Sequence, residues 1–265
     1  MAAFIEHSLR GTNHATARTG TPLDFIAFHA KGAPTTVDGH VRMGIATHLR
    51  TIDAGFATVA SYPELRKTPI VIGESDPEGC AACQGPQLAY RSGTMYSSYT
   101  AASFALAHDL ADRHGVDLEG AVTWAFEFED QPYFPGFRAL ASSGLDLPVL
   151  NVFRMFSRMV MVWHYHDDDV PGPEAAVTLD VSGLPVTDGA MRLSHYRIDE
   201  THSNAYAAWR RMGSPLAPNR DQYTQLEAEG RLSLLEPPSE VAVAGGMSTV
   251  KFALPRQAVS LLVFE

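Results

Sequence analysis

Cysteine is nearly absent from this 265-residue chain, which contains two. Two cysteines do not make a disulfide framework. Basic residues are also scarce: 20 Lys and Arg stand against 30 Asp and Glu, a formal net charge of −10. Non-specific nucleic-acid binding needs the opposite balance, so the composition argues against it. No apolar run approaches the length of a membrane span. The opening "MAAFIEHSLRGTNHATARTG" lacks the basic n-region and apolar h-region of a secretory signal. The compartment therefore stays open. Solenoid-period repeats and low-complexity segments are missing too.

What is present is ordinary globular material. Hydrophobic residues make up 45% of the chain and charged residues 19%, enough for a real core in one large domain or two modest ones.

Up to residue 159, short apolar runs alternate with amphipathic stretches. "PLDFIAFHAKG" (22–32), "TPIVIGE" (68–74) and "EGAVTWAFEFED" (119–130) read as buried strands. Residues 41–62, 94–114 and 147–159 carry apolar positions at helical spacing, the first despite Gly44 and Gly55, and Gly115 is placed to cap the second. Continuous apolar strands alternating with helices predict a parallel sheet covered by helices. From residue 160 on, short strand candidates separated by Gly, Pro and Asp predict a β-sandwich, with a helical insertion over 203–230. The predicted domains are thus 1–159 and 160–265. No linker separates them, since "FRMFSRM" runs straight into "VMVWHYH" at Met159–Val160.

In parallel α/β folds, polar residues at the C-terminal tips of strands line the active site. Three tips carry them here: His29 and Lys31; Glu74 and Asp76; and Trp124, Glu127, Glu129 and Asp130. A carboxylate directly after "IVIG" is aimed into the mouth of the sheet, where its surroundings can tune it for catalysis. Strand tips are also polar simply because they meet water, and spacing alone does not separate the two readings.

The runs "DFIAFHAKG", "PIVIGESDPEGCAACQGP", "GTMYSSYTAASFALAHDLADRHGV", "LEGAVTWAFEFEDQPYFPGF" and "DLPVLNVFRMF" resemble the second half of glycoside hydrolase family 39, and bacterial β-xylosidases in particular. "VWHYHDDDVPGP", "HYRIDETHSNAYAAWRRMGSP" and "LPRQAVSLLVFE" resemble the C-terminal β-sandwich of those enzymes. The resemblance implies an α/β plus β chain: about the last three βα units of a (β/α)₈ TIM barrel, then a β-sandwich. It implies a retaining glycosidase that releases xylose from β-xylosides or xylo-oligosaccharides. Glu74 matches the nucleophile, which attacks the anomeric carbon to form a covalent glycosyl-enzyme. His29 matches a histidine holding the sugar beside the cleaved bond. Trp124 matches an aromatic platform, and Glu127 and Glu129 match carboxylates that bind sugar hydroxyls. No metal or other cofactor is implied.

The resemblance also implies a deficit. Retaining hydrolysis needs a second carboxyl group as acid and base. In this family it is the Glu of an Asn-Glu-Pro motif, which this sequence does not contain. The first strand matches the sixth of the barrel, so the chain reads as N-terminally truncated and shortened at Met159–Val160, with impaired or absent turnover expected. Three barrel strands leave two open edges, which a homo-oligomer or the remaining strands would cover.

Two alternatives stand beside this reading. The first is a non-catalytic carbohydrate-binding or interaction module; Tyr206 and Trp209 could contact sugar there, although a helix packing its aromatics on the sandwich is the favoured reading of that pair. A metal site is the second alternative: Cys80 and Cys83 as half a zinc centre, with His164, His166 and Asp167 as further ligands.

Overall fold

The computed structural model describes residues 1–156 and 160–265. The chain divides into two compact units. One comprises Met1–Thr35, Met43–Gly79 and Ser103–Thr123; the other comprises Thr36–Arg42, Cys80–Ala102 and Trp124–Glu265. The predicted boundary at Met159–Val160 involves Met159, which lies outside the described residues.

The elements that matter for the first unit are α1 (Ala2–Arg10), β1 (Ile26–Lys31), α2 (Ile45–Ala60), β2 (Ile70–Asp76), α3 (Thr94–His114) and β3 (Leu118–Ala121). The three strands form one parallel sheet in the order β1-β2-β3. Each crossover contains a helix, as parallel pairing requires. Ile26 and Ala30 of β1, Ile70 and Ile72 of β2, Ile52, Phe56 and Val59 of α2, and Ala107, Leu110 and Ala111 of α3 share one core. Ile52, Phe56, Ile70 and Ile72 have no solvent exposure. Each such side chain stabilises the unit by about 1.5–3 kcal/mol. Gly115 ends α3 with φ +61°, the left-handed conformation that a glycine adopts without a Cβ penalty.

Two sequence expectations need correcting here. The third strand, predicted over 119–130, ends at Ala121, with Val122 still bonded to Ile72 and Ser75 of β2. The backbone of Ala125 and Phe126 bonds instead to Arg138, Leu140 and Ala141, so "WAFEFED" is loop. Its alternating Trp124 and Phe126 are exposed rather than buried. The helix α1 was not anticipated; only Ile5 and Ser8 of its nine residues are buried, a weak stripe.

In the second unit the elements are α4 (Pro148–Met155), β4 (Val160–Trp163), β5 (Ala175–Ser182), β6 (Gly189–Ile198), α5 (Ala205–Arg211), α6 (Arg220–Gly230), β7 (Ser233–Leu234), β8 (Ser239–Val243), β9 (Met247–Leu254) and β10 (Val259–Phe264). Five strands make an antiparallel sheet ordered β4-β10-β6-β7, with β8 also paired to β6; β5 and β9 form a second ladder. The period-2 rule sorts the side chains. Val160 and Val162 of β4 join Leu262 and Phe264 of β10 against Leu179, Val181, Val250 and Phe252 of the two-stranded ladder. Met161, Trp163, Val259 and Leu261 face the other way, onto Ala101, Val152 and Met155. Strand β10 is therefore covered on both faces, which is why it reads as the unbroken "VSLLVF". Strand β5 alternates half-buried and exposed residues, as one covered face dictates. The predicted insertion is helical: Asn204 caps α5 through Ala207 N–H, and Asn219 and Gln222 form a capping box on α6.

Among the described residues no helix is long and apolar enough to cross a membrane.

Candidate active site

The polar ends of β1 and β2 are brought together by a register shift. Phe28 pairs with Ile72, but the next pair is His29 with Glu74, so Gly73 is an extra residue in β2. The bulge puts His29 beside Glu74, Ala30 beside Ser75 and Lys31 beside Asp76. Lys31 is the hub. Its Nζ donates to Glu74 Oε2, and to Asp76 Oδ2 at 2.5 Å. Asp76 is fully buried and also accepts from the Thr123 hydroxyl. His29 Nδ1 lies 3.7 Å from Glu74 Oε2. Glu74 keeps 24% of its side-chain surface exposed and His29 61%, so both remain reachable. The ammonium offsets the charge of two carboxylates and fixes the orientation of the exposed one.

Behind this row lies a fully buried histidine. His48 Nε2 is 3.1 Å from Ser75 Oγ. Burial, reinforced by the Lys31 charge, pushes the imidazole down to about 4. His48 is therefore neutral near pH 7 and supports β2 from α2 without adding charge.

Trp124, Glu127 and Glu129 belong to the second unit. The Trp124 ring is 47% exposed, and its carbonyl accepts from Arg138 Nη1 at 2.8 Å. The Trp124–Ala125 peptide bond is cis. Phe128 lies 6.5 Å from the Trp124 ring and 4.4 Å from Phe137, a short row of aromatic faces. One carboxylate oxygen of Glu127 accepts from Gly144 N–H at 2.7 Å, so this side chain holds a loop. Glu129 is exposed.

The loop after β2 is stitched to the same segment. Cys80 and Cys83 form a disulfide, which removes both thiols as metal ligands. Arg138 N–H donates to Ala81 O at 3.0 Å, and Arg91 Nη1 donates to Cys83 O and Gly136 O at 3.1 Å each. His164 and His166 bond to main-chain groups of Leu254 and Asp168, and Asp167 accepts from the Tyr165 hydroxyl. Among the described residues no group of three or more His, Cys, Asp or Glu side chains is arranged to hold a metal ion. Trp209 Nε1 donates to Pro215 O, and its ring packs on Phe134 and Tyr206.

The sequence reading named Lys31 and Asp76 as strand-tip residues but gave them no role, and did not single out His48, Ser75 or Thr123. The signal for the first pair was present. A lysine ends one parallel strand and two carboxylates end the next, which leaves a cation level with two anions.

No protein-family profile matches this sequence, and no curated protein matches it by sequence. Solved structures do match by fold. A bacterial orthologue of human α-L-iduronidase superposes with a TM-score of 0.78 at 17% identity, over 99% of this chain and 52% of its own. The family 39 glycoside hydrolase of Xanthomonas axonopodis pv. citri gives 0.70 at 17%, over 92% and 55%. A monomeric β-xylosidase from Caulobacter crescentus CB15 gives 0.71 at 15%, over 92% and 56%. The chain thus shares its fold with solved family 39 glycoside hydrolases, and it spans about half the length of the solved structures it matches.

Proposed function

We propose that this chain carries the nucleophile-bearing part of a retaining glycosidase site for β-xylosides. The observation that carries the reading is Glu74: an accessible carboxylate at a parallel strand tip, oriented by Lys31 and level with His29, in a family 39 fold. In this reading residues 1–159 are the last βα units of a barrel and 160–265 a β-sandwich. A homo-oligomer or further strands cover the open sheet edges. His29 holds the sugar beside the scissile bond, Trp124 stacks on its apolar face, and Glu127 and Glu129 accept from its hydroxyls.

The chemistry has two steps. A Glu74 oxygen attacks the anomeric carbon as the bond to the leaving oxygen breaks, and the electron pair departs with that oxygen. Water then displaces Glu74 from the same carbon, giving its proton to a base. An ordinary leaving group must be protonated as it departs, and this sequence has no Asn-Glu-Pro to do it. A 2,4-dinitrophenyl β-xyloside needs no protonation, because its phenolate is stable. The test is mass spectrometry after incubation with a 2-fluoro derivative of that xyloside, which slows the second step. A single pentosyl adduct on Glu74, absent in Glu74→Gln, is expected. An unlabelled chain, or a label elsewhere, overturns the proposal.

A second reading, a non-catalytic carbohydrate-binding module, is favoured by Glu127 being engaged with Gly144 N–H and by the missing acid/base motif. It predicts xylobiose binding that depends on Trp124 and yields neither adduct nor turnover.

A further inference from the structure

Between the two layers of the sandwich lies a buried polar cluster that the proposed function does not use. Leu193 of β6 and Leu262 and Phe264 of β10 pack against the ladder strands β5 and β9. Strand alternation puts His195, Arg197 and Ser260 on that same face, and all three are buried. The ladder meets them directly. The Phe252 ring of β9 stands edge to face with the His195 ring at 4.8 Å, and 6.0 Å from the Arg197 guanidinium carbon. Arg197 Nη2 donates to Ala253 O at 3.0 Å, a hydrogen bond that ties one layer to the other.

Hydrogen bonding at Ser260 fixes the state of the imidazole. Ser260 Oγ accepts from Arg197 Nε at 2.9 Å and lies 2.9 Å from His195 Nε2. A guanidinium only donates, and a hydroxyl has a single proton. Among the described residues Ser260 Oγ bonds to these two groups, so its proton goes to His195 Nε2. That nitrogen is therefore an acceptor, and the ring is neutral. A proton added at Nε2 would aim two donors at Ser260 Oγ and strand the hydroxyl proton in a buried site. It would also set a second cation beside Arg197.

The neighbouring elements do not offset that charge. His195 faces Arg197 on its own strand, uncharged Ser260 on β10 and uncharged Phe252 on β9. The inward positions of β5 are Ala175, Val177, Leu179 and Val181, while Asp180, Glu240 and Lys251 are exposed. Asp199, 3.6 Å from Arg197, and Glu174 act on the guanidinium. Burial, with a smaller push from Arg197, holds His195 down at about 4. We propose that the cluster is an acid-released latch: a proton taken up by His195 frees the β5–β9 ladder from the sheet beneath it. Release uncovers the apolar face made by Leu179, Val181, Val250 and Phe252. The inference does not rest on the role given to Glu74.

Hydrogen–deuterium exchange of the full chain between pH 7 and pH 4, read by mass spectrometry on peptides from β5 and β9, tests the latch. After correction for the intrinsic pH dependence of exchange, ladder opening should rise about a hundredfold over that range. The ratio follows from an ordinary 6.5 in the open state and about 4 in the closed one. His195→Gln cannot titrate, so its ladder should stay closed as the pH falls. Imidazole nitrogen NMR of the parent checks the same point without a substitution, and a bare Nε2 with a proton on Nδ1 is expected at pH 7. A His195 Nε2–H at pH 7 overturns the latch. So does ladder exchange that ignores pH, or that rises equally in His195→Gln. Peptides from α2 and β2 losing protection in step with the ladder also overturn it, since that marks global unfolding.

Discussion

Lys31 Nζ stands 2.5 Å from Oδ2 of Asp76, a carboxylate with no solvent exposure, and the same ammonium reaches the part-exposed Glu74. The two ion pairs are not equivalent. Removing the cation takes the ion-pair partner from a fully buried carboxylate, whereas removing Glu74 opens a site that water already reaches. Lys31→Met should cost about 3–5 kcal/mol, and Glu74→Gln less than about 1 kcal/mol. A double-mutant cycle with Asp76→Leu, read from urea unfolding, should recover much of the Lys31→Met loss. Equal midpoints for Lys31→Met and the parent would show that the pair is not a structural hub.

Much of this arrangement was legible in the sequence, and the parts that were not have physical reasons. Helix α3 begins and ends where its pattern predicts because a positive-φ glycine, Gly115, stops it. The strands flanking α2 are equally plain as β-branched and aromatic runs. The His29–Glu74 pairing was hidden because it depends on the bulge at Gly73, and register is a long-range property that one strand does not encode. The end of β3 was misread because "TWAFEFED" has strand-like alternation, while its backbone pairs with residues 138–141. Cys80 and Cys83 gave no sequence signal for a mutual bond over a thiol pair; spacing alone allows both.

Gly55 lies in the middle of α2, where alanine would ordinarily be favoured by about 1 kcal/mol. Here a Cβ on Gly55 would stand 2.5 Å from Cζ of Phe28 on β1. The glycine lets the helix approach the sheet over an aromatic ring. Gly55→Ala should therefore destabilise the chain by about 1–3 kcal/mol, against its helix propensity. Adding Phe28→Leu should restore part of the loss. A melting temperature raised by Gly55→Ala would show that the ring can move aside at little cost.

His48 makes acid stability testable at one position. Its folded value of about 4 lies below the ordinary 6.5, so the folded chain binds fewer protons there than the unfolded chain. Its contribution is fully present above pH 6.5 and is lost as pH falls from 6.5 towards 4. The gap corresponds to about 3 kcal/mol. His48→Gln keeps a hydrogen-bonding group near Ser75 but cannot titrate. Between pH 7.5 and pH 4 the parent should lose about 3 kcal/mol more unfolding free energy than this variant. Parallel pH profiles would mean that His48 is not held neutral by its surroundings.

The disulfide offers a separate handle on the β-rich unit. Both Cys80 and Cys83 are exposed, so a reductant can reach them in the folded chain. The closed loop is short, and loop-closure entropy for about four residues amounts to about 2 kcal/mol. Dithiothreitol followed by iodoacetamide under native conditions should therefore give two alkylated cysteines and lower unfolding free energy by no more than about 2 kcal/mol. The loop is also bonded to Arg91 and Arg138, and Arg138 holds the Trp124 carbonyl. Loosening it should reach the indole: a change in Trp124 fluorescence on reduction, absent in Trp124→Phe, is expected. Alkylation without that change would limit the disulfide to its own loop.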